Sequence, residues 1–414
     1  MKVENLVGTR DFYPELQSEL NIIFEAWRKV AISYGYEEIE GPLLESTDLW
    51  TLKSGAEIPE QMYSFVDKGG RSVAIRPELT PTVARMVAQK QKELLKPIKW
   101  FAIPRCLRYE RPQKGRLREF FQFNLDCLGL DSMKADAEVI STAISIMEFF
   151  ELDEKDFFIR ISNRRLVQDL FLSVADKSQL KDISRLVDKF DKMKKEEFVL
   201  ALEDLKVKDA DKLIKILSLN NLDSIDFDSL SENGKKGYNE LKELIMILGN
   251  YGFGKYVKID FSIMRGFDYY TSTVFEVYDT SKKFRAIAGG GRYDDLVVDF
   301  GGEKCPGIGY GFGDVVFSLF LKEKGKLVSY KKNLDYFVIT IGDVYETGLK
   351  IASKLRRKGF KVEIALAEMN TQKQLNYAGK LNVKSLVFVG EDELKKGKFK
   401  VKELASGKET FMSF

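Results

Sequence analysis

The stretch of the chain that most limits its fold is residues 120–128, where apolar and polar side chains alternate. Successive side chains of a β-strand point to opposite faces of the sheet. The apolar members are Phe121, Phe123, Leu125 and Cys127, and the polar members are Gln122, Asn124 and Asp126. The pattern therefore predicts a sheet with one face in a core and three polar groups in a row on the other face.

A strand predicted over residues 99–110 precedes this one, and residues 111–118 between them carry four cations. Arg108 and Glu110 share one face of the first strand by the same alternation. Two antiparallel strands with a basic loop can form a floor for a small substrate, with a positively charged flap that reaches phosphates. A solvated hairpin on a half-exposed sheet fits the pattern equally well.

Two further segments break their strand patterns. Residues 265–271 place an arginine, a glycine, an aspartate and two tyrosines between two predicted strands, which is typical of a ligand-facing loop and also of a bulge filled by core tyrosines. Glycine occurs at every second position from Gly307 to Gly313, after the glycine-rich segment 288–294. One strand face there has no side chains, so either a nucleotide base or a tightly packed element can lie against the backbone.

The composition narrows the possible chemistry. The chain has no histidine, which excludes a Ser-His-Asp triad and His-ligated metals. Its three cysteines are far apart and show no metal-ligand spacing, which indicates a reducing compartment and no zinc framework. The first residues lack an apolar targeting segment, so we predict a cytoplasmic protein without a membrane segment.

Charge is distributed unevenly along the 414 residues. The net charge is +3, but residues 331–414 hold 17 Lys and Arg against 10 Asp and Glu. This basic piece is either a module that binds a polyanion or a solvated lysine-rich surface. Strands and helices are predicted to alternate in it, which is typical of a small α/β domain with a largely parallel sheet.

Secondary-structure signals organise the remainder. Apolar residues at helical spacing predict a helix over 15–34, a short strand follows over 36–42, and residues 168–248 are predicted to be an inserted helical unit. Before the hairpin, Thr80 suits the N-cap of a helix and Pro81 its first position. Charged residues 322–333 are the best linker candidate.

Several of these segments together resemble the class II aminoacyl-tRNA synthetases and, within them, the histidyl-tRNA synthetase family. Residues 8–14 resemble the family's N-terminal signature, 35–42 its motif 1, and 108–123 its motif 2. Residues 265–276 and 289–294 resemble its two histidine-specific motifs. The resemblance runs through nearly the whole chain, and chance matches of this many long motifs in order are rare.

The resemblance implies an α+β fold, with an antiparallel sheet flanked by helices, a helical insertion and a C-terminal Rossmann-like anticodon-binding domain. The implied domains are residues 1–167 and 249–325 for the catalytic domain, 168–248 for the insertion and 333–414 for the anticodon-binding domain. The implied reaction joins histidine and ATP, with Mg²⁺, into histidyl-adenylate and then transfers histidine to tRNA(His). A homodimer through motif 1 is also implied, with no protein-held zinc or haem.

Site residues follow from the motif positions. The resemblance implies that the histidine-binding residues are Glu78, Thr80, Arg108, Gln122, Asp126, Arg265, Tyr269 and Tyr270. It implies that Arg108, Glu110 and Arg116 contact ATP, and that Arg265 and Arg108 are the catalytic cations. Asp126 stands where the family often has Glu, and the segment ending at Val316 lacks the arginine found in the commoner bacterial motif 3.

A second function is compatible with the same resemblance. Some synthetase-like chains bind histidine and regulate an ATP phosphoribosyltransferase without charging tRNA. Such chains typically lose the catalytic arginine and the anticodon-binding domain. This chain keeps Arg265 and a basic C-terminal piece, so the enzyme is the primary prediction.

Overall fold

The structure, a computed structural model, describes residues 3–51, 57–187, 189–190, 193–263, 269–328, 330 and 332–413. The chain divides into two compact units, Met1–Val328 and Ser329–Phe414. Helices and strands occur in both units. The α+β fold that the sequence predicts is confirmed.

The helices of the described residues range from a single turn to five turns. In chain order they are α1 (Pro14–Ser33), α2 (Asp48–Thr51), α3 (Glu57–Gln61), α4 (Thr80–Lys90), α5 (Met133–Phe149), α6 (Arg164–Leu172), α7 (Leu180–Val187), α8 (Lys195–Asp204), α9 (Ala210–Leu217), α10 (Glu232–Asn250), α11 (Leu296–Asp299), α12 (Asp314–Glu323), α13 (Tyr345–Arg357), α14 (Thr371–Lys380) and α15 (Glu391–Lys396).

The strands form one large sheet and two smaller ones. They are β1 (Glu37–Glu38), β2 (Leu44–Ser46), β3 (Tyr63–Val66), β4 (Ser72–Ile75), β5 (Ile98–Ala102), β6 (Arg105–Leu107), β7 (Glu119–Leu128), β8 (Phe157–Asn163), β9 (Val257–Ile259), β10 (Thr273–Asp279), β11 (Ala288–Arg292), β12 (Gly307–Gly313), β13 (Leu334–Ile341), β14 (Val362–Ile364), β15 (Val383–Gly390), β16 (Lys398–Glu403) and β17 (Glu409–Ser413).

The large sheet of the first unit has the strand order β1-β5-β7-β12-β11-β10-β8-β9, with β6 paired to β7 off this path. The pairs β1–β5 and β8–β9 are parallel, and the other neighbours are antiparallel. Strand β7 lies between β5 and β12, so both of its edges are paired and its side chains project from the two faces of the sheet.

One face of this sheet carries the main core. Phe123 and Leu125 of β7 are fully buried and pack with Trp27 of α1, Ile140 of α5 and Phe317 of α12. Burial of large aromatic and aliphatic side chains of this kind stabilises a fold by about 1.5–3 kcal/mol each. Helices α1, α5 and α12 are therefore held against this face by apolar contacts.

The opposite face carries a smaller core. Leu128, at the end of β7, packs there with Leu79 and Val83 of the α4 region and with Tyr269 and Tyr293. The polar side chains of β7 lie on this same face, beside that smaller core. The two-faced sheet that the alternation of residues 120–128 predicts is therefore confirmed.

Helices α6 to α10 follow β8 and precede β9, and buried side chains of α7, α8 and α9 join the main core cluster. Helix α6 begins at Arg164, with the side chain of Asn163 as its N-cap. The limits 168–248 for a separate insertion stay a prediction.

The second unit has a five-stranded sheet of order β14-β13-β15-β16-β17 in its described residues. Strands β14, β13 and β15 are parallel, whereas β16 and β17 add antiparallel pairs. The predicted alternation of helices and strands is correct as far as β15. Helix α15 and the last two strands were not predicted.

Two local predictions were wrong. Residues 99–110 are not one strand, because β5 ends at Ala102 and β6 covers only Arg105–Leu107; Pro104 between them has no N–H for the ladder. Thr80 is not the N-cap, since α4 begins at Thr80 with Leu79 as its cap residue. The Thr80 hydroxyl instead interacts with Tyr269.

Across the described ranges, no helix combines the length and the apolar character needed to cross a membrane.

Candidate active site

A small cavity of about 40 Å³ lies on the polar face of the large sheet. It is bordered by β7, β11 and β12 and by the start of α4. The residues that line it are Glu78, Thr80, Gln122, Asn124, Tyr270, Gly289, Tyr293, Gly309, Tyr310 and Gly311. Glu78, Thr80, Gln122 and Tyr270, which were predicted as histidine-binding residues from separate parts of the sequence, thus meet at one cavity.

The glycines of β12 make room for the side chains of β7. Gly309 is opposite Asp126 and Gly311 is opposite Asn124 in the antiparallel register. A Cβ atom on Gly309 would lie 2.1 Å from Asp126 Oδ1, and one on Gly311 would lie 2.3 Å from Gln122 Nε2. The side-chain-free face of β12 therefore lies against polar side chains of the neighbouring strand.

Asp126 lies behind the lining of the cavity and is 2% exposed. The Tyr293 hydroxyl donates a short hydrogen bond to Asp126 Oδ1. Burial raises the pKa of Asp126 to about 7, against the smaller lowering effect of the Tyr293 hydrogen bond. The carboxyl group therefore changes its protonation state near neutral pH.

Glu78 and the tyrosine pair form a second buried group. Tyr269 Oη donates to Glu78 Oε2 at 3.3 Å, and Glu78 is 2% exposed. Burial, with the charge of Glu78, raises the pKa of Tyr269 well above its usual value. The Tyr269 ring stands edge-on to Tyr270 and Tyr293, with ring centroids 5.1 and 6.0 Å away. Glu78 thus presents a carboxylate to the cavity beside neutral phenols.

Arg108 follows β6 and is half-buried. Its Nε atom donates to the Pro77 carbonyl oxygen at 3.0 Å, and its guanidinium carbon lies 5.4 Å from the centroid of the Phe120 ring. These contacts tie Arg108 to the residue that immediately precedes Glu78. Arg108 does not line the cavity, but its bond to Pro77 places it beside Glu78, which does.

Glu110 and Arg116 form an ion pair across the basic loop. The loop reverses direction between Gln113 and Arg116, whose backbone groups exchange two hydrogen bonds of 3.0 and 2.8 Å. Gly115 has φ 81° at this turn, a conformation that glycine adopts most readily. Two of the three predicted ATP contacts are therefore paired with each other at the base of the flap.

Arg265 lies outside the described residues, so its predicted position beside the α-phosphate stays a prediction. Tyr293 and Asn124 contribute to the site and were not predicted as site residues. The alternation of β7 alone puts Asn124 on the polar face. No pattern in the sequence links Tyr293 with Asp126, because these residues are 167 positions apart. Among the described residues, no group of three or more Cys, Asp or Glu side chains can hold a metal ion.

The fold and this site define the class of protein, and comparisons with known proteins define the family. A large, mainly antiparallel sheet flanked by helices is the fold of the class II aminoacyl-tRNA synthetases. Residues 8–313 match the family described as histidyl-tRNA synthetase, and residues 335–414 match the anticodon binding domain family. The chain belongs to the histidyl-tRNA synthetase family.

Known relatives of this family are similar in sequence over nearly the whole chain. The histidine–tRNA ligase of Leptospira biflexa is 38% identical over 427 residues, which cover 100% of this chain and 96% of the relative. That of Natronomonas pharaonis is 37% identical over 410 residues, or 98% of this chain and 95% of the relative.

A solved structure has the same fold. The histidyl-tRNA synthetase of Nostoc sp. PCC 7120 superposes with a TM-score of 0.83 at 26% identity, covering 100% of this chain and 97% of the other.

Proposed function

We propose that this chain activates histidine with ATP and transfers it to tRNA(His). The observation that carries the proposal is the cavity that gathers Glu78, Thr80, Gln122 and Tyr270 in a chain that matches this family along its length. Glu78 offers a carboxylate to the substrate's ammonium group, and Gln122 and Thr80 offer further polar partners. Asp126, Tyr269 and Tyr270 surround the place of the imidazole ring.

Histidine needs no protein base for the first step. Its own carboxylate is ionised at neutral pH and attacks the α-phosphorus of ATP, which releases pyrophosphate. Negative charge then develops on the non-bridging oxygens, and fixed cations stabilise it. We assign this role to Arg108, beside the cavity, and to Arg265, with Glu110 and Arg116 at the ATP side. Mg²⁺ enters with ATP as part of that substrate.

The remaining partners follow from the same proposal. The second unit, with its basic composition, would bind the anticodon region of tRNA(His), a polyanion. We also propose a cytoplasmic homodimer that pairs through residues 35–42. In support of the dimer, β1 lies at the end of the large sheet, and Leu43 and Leu44 beside it are 48% and 46% exposed. Sedimentation of the purified chain tests the dimer, and a monomer at micromolar concentration would contradict it.

Histidine-dependent exchange of pyrophosphate into ATP tests the enzyme directly. We expect exchange by the intact chain and a fall of about 100-fold or more for Arg108→Ala and for Arg265→Ala, as when one stabilising donor is removed. Arg105→Ala is the matched control, because Arg105 is an exposed arginine on β6 that pairs with Glu119 at 2.7 Å. This control should keep nearly full activity.

The regulatory paralogue is the competing function. A structure described as an ATP phosphoribosyltransferase regulatory subunit/histidyl-tRNA synthetase from Bacillus halodurans has a TM-score of 0.78 at 22% identity, which shows a common fold. The anticodon binding domain match over residues 335–414 favours the enzyme. Histidine binding without any pyrophosphate exchange by the intact chain would favour the regulator.

A further inference from the structure

Asn124 lies in the middle of the polar face of β7, between Gln122 and Asp126. It is 4% exposed and lines the cavity. Its Oδ1 atom is shielded from solvent and has no hydrogen-bond partner in the ranges covered by the structure. Buried amide oxygens in folded proteins almost always accept a hydrogen bond, so this atom points to a donor that the protein does not supply.

The neighbouring strands explain why the protein supplies none. Asn124 is opposite Gly311 on β12 and opposite Ala102 on β5. Neither residue has a polar side chain, and the backbone groups of paired strands bond within the ladder. On β7 itself, the carboxyl group of Asp126 acts as an acceptor, for the Tyr293 hydroxyl. Asn124 also borders the cavity, where a bound molecule can bring a donor.

We propose that Asn124 is a further substrate-binding residue, whose Oδ1 accepts a hydrogen bond from an N–H group of the bound amino acid. The proposal rests on the proposed function, since it takes histidine as the occupant of the cavity. Histidine carries such hydrogens on its ammonium group and on its imidazole ring. Either one satisfies the buried acceptor.

The contact also determines specificity. A site that hydrogen-bonds a substrate N–H rejects a ligand without it, because the buried acceptor is then left unpaired. A ligand of similar shape that lacks the N–H group is therefore rejected because it leaves the Asn124 acceptor unpaired.

Calorimetric titration of the full chain with histidine tests this inference. Asn124→Leu removes the acceptor but keeps a branched side chain and adds some bulk, whereas Asn124→Ala removes the acceptor without adding bulk. We expect both variants to raise the Kd for histidine by about 10- to 100-fold. The KM for ATP, measured by pyrophosphate exchange, should not change. Asn124→Asp keeps an acceptor oxygen. Its Kd for histidine should therefore stay within about threefold of the parent chain's Kd.

Ser162→Ala provides the matched control. Ser162 Oγ on β8 is likewise buried and unpartnered within the described part of the chain, but Ser162 does not line the cavity. Its removal should leave the Kd for histidine unchanged. Tight histidine binding by Asn124→Ala would overturn the inference, even if Asn124→Leu binds weakly, because bulk alone would then explain the loss.

A second ligand shows whether the N–H group belongs to the ammonium group or to the imidazole ring. Imidazole-4-propionate has the ring and the carboxylate of histidine but no ammonium group. An equal affinity loss for this ligand in Asn124→Ala assigns the contact to the ring, and a loss seen only with histidine assigns it to the ammonium group. If the parent chain binds histidine in this Asn124-dependent way but supports no pyrophosphate exchange, the proposed enzyme fails and the assignment of Asn124 stands.

Discussion

The two faces of β7 belong to one strand but differ in their side chains and in what packs against them. Phe123 and Leu125 project into a core closed by α1, α5 and α12 and are 0% exposed. Gln122, Asn124 and Asp126 project to the other face, where glycines of β12 leave space beside them. The first face is filled by apolar contacts, whereas the second keeps polar atoms buried next to a cavity.

The difference shows how stability and function are divided. Apolar burial on one face fixes the backbone of β7 between two paired neighbours, so that the polar side chains on the other face are held in position. A buried polar group costs free energy unless it has a partner. The polar face therefore carries a cost that the apolar face offsets, and substitutions on the two faces should have different effects.

The largest effect is expected on the apolar face. Phe123→Ala should lower the free energy of unfolding by about 3–5 kcal/mol, because it removes a fully buried ring and leaves a void. The KM for histidine should change little in the protein that stays folded. Urea denaturation measures the loss, and Phe65→Ala, at a ring that is 48% exposed, should cost less than about 1 kcal/mol. Equal losses for the two variants would contradict this division.

Gly309→Ala should disrupt the polar face from the neighbouring strand. Its Cβ would lie 2.1 Å from Asp126 Oδ1 and 2.7 Å from the Leu125 carbonyl oxygen, so one of them must move. We expect a loss of about 3 kcal/mol in stability and a strong loss of pyrophosphate exchange. Gly313→Ala is the control, because its Cβ would meet nothing within 4 Å. A Gly309→Ala enzyme as active as this control would rule out the close approach.

The protonation of Asp126 should make stability depend on pH. The pKa of Asp126 is about 7 in the folded chain and about 3.9 in an unfolded one. At pH values between these two, the folded state keeps a proton that the unfolded state has released. This contribution is complete below about pH 4 and is lost as the pH rises towards 7. It amounts to about 2 kcal/mol between pH 5 and pH 7.

Asp126→Asn removes that contribution. The free energy of unfolding, measured at pH 5 and at pH 7, should then fall less with rising pH in the variant than in the parent chain. Identical slopes would show that burial does not raise the pKa of Asp126.

A smaller effect is expected from Tyr293→Phe. The hydroxyl stabilises the ionised form of Asp126, so its removal should raise the pKa of Asp126 further and cost about 1–2 kcal/mol above pH 7. The cost should shrink near pH 5, where Asp126 is protonated with or without this donor. Denaturation curves at both pH values provide the test, and a cost independent of pH would count against this role of the Tyr293 hydroxyl.

The sequence predicts those features that depend on short-range periodicity. Alternation identifies the two faces of β7, and the even spacing of glycines identifies a bare strand face. The sequence does not show what lies against that face, because this depends on the register between β7 and β12, which lie far apart in the chain. The Asp126–Tyr293 hydrogen bond also joins residues that are far apart in the chain, so the sequence does not predict it.

The other errors have different causes. Thr80 has the residue type of an N-cap, but its hydroxyl is used by Tyr269, a contact from a distant part of the chain. Lysines alternate with apolar residues over 398–402, so the sequence does contain a period-2 signal for β16. Pro104 is likewise a readable signal for the break between β5 and β6.

If the polar face of β7 binds the amino acid, Gln122→Ala should weaken histidine binding alone. Pyrophosphate exchange by this variant is measured with histidine varied at saturating ATP and with ATP varied at saturating histidine. We predict that the KM for histidine rises by about 10- to 100-fold and that the KM for ATP is unchanged. An unchanged KM for histidine, or equal rises for both substrates, would contradict the placement of histidine on this face.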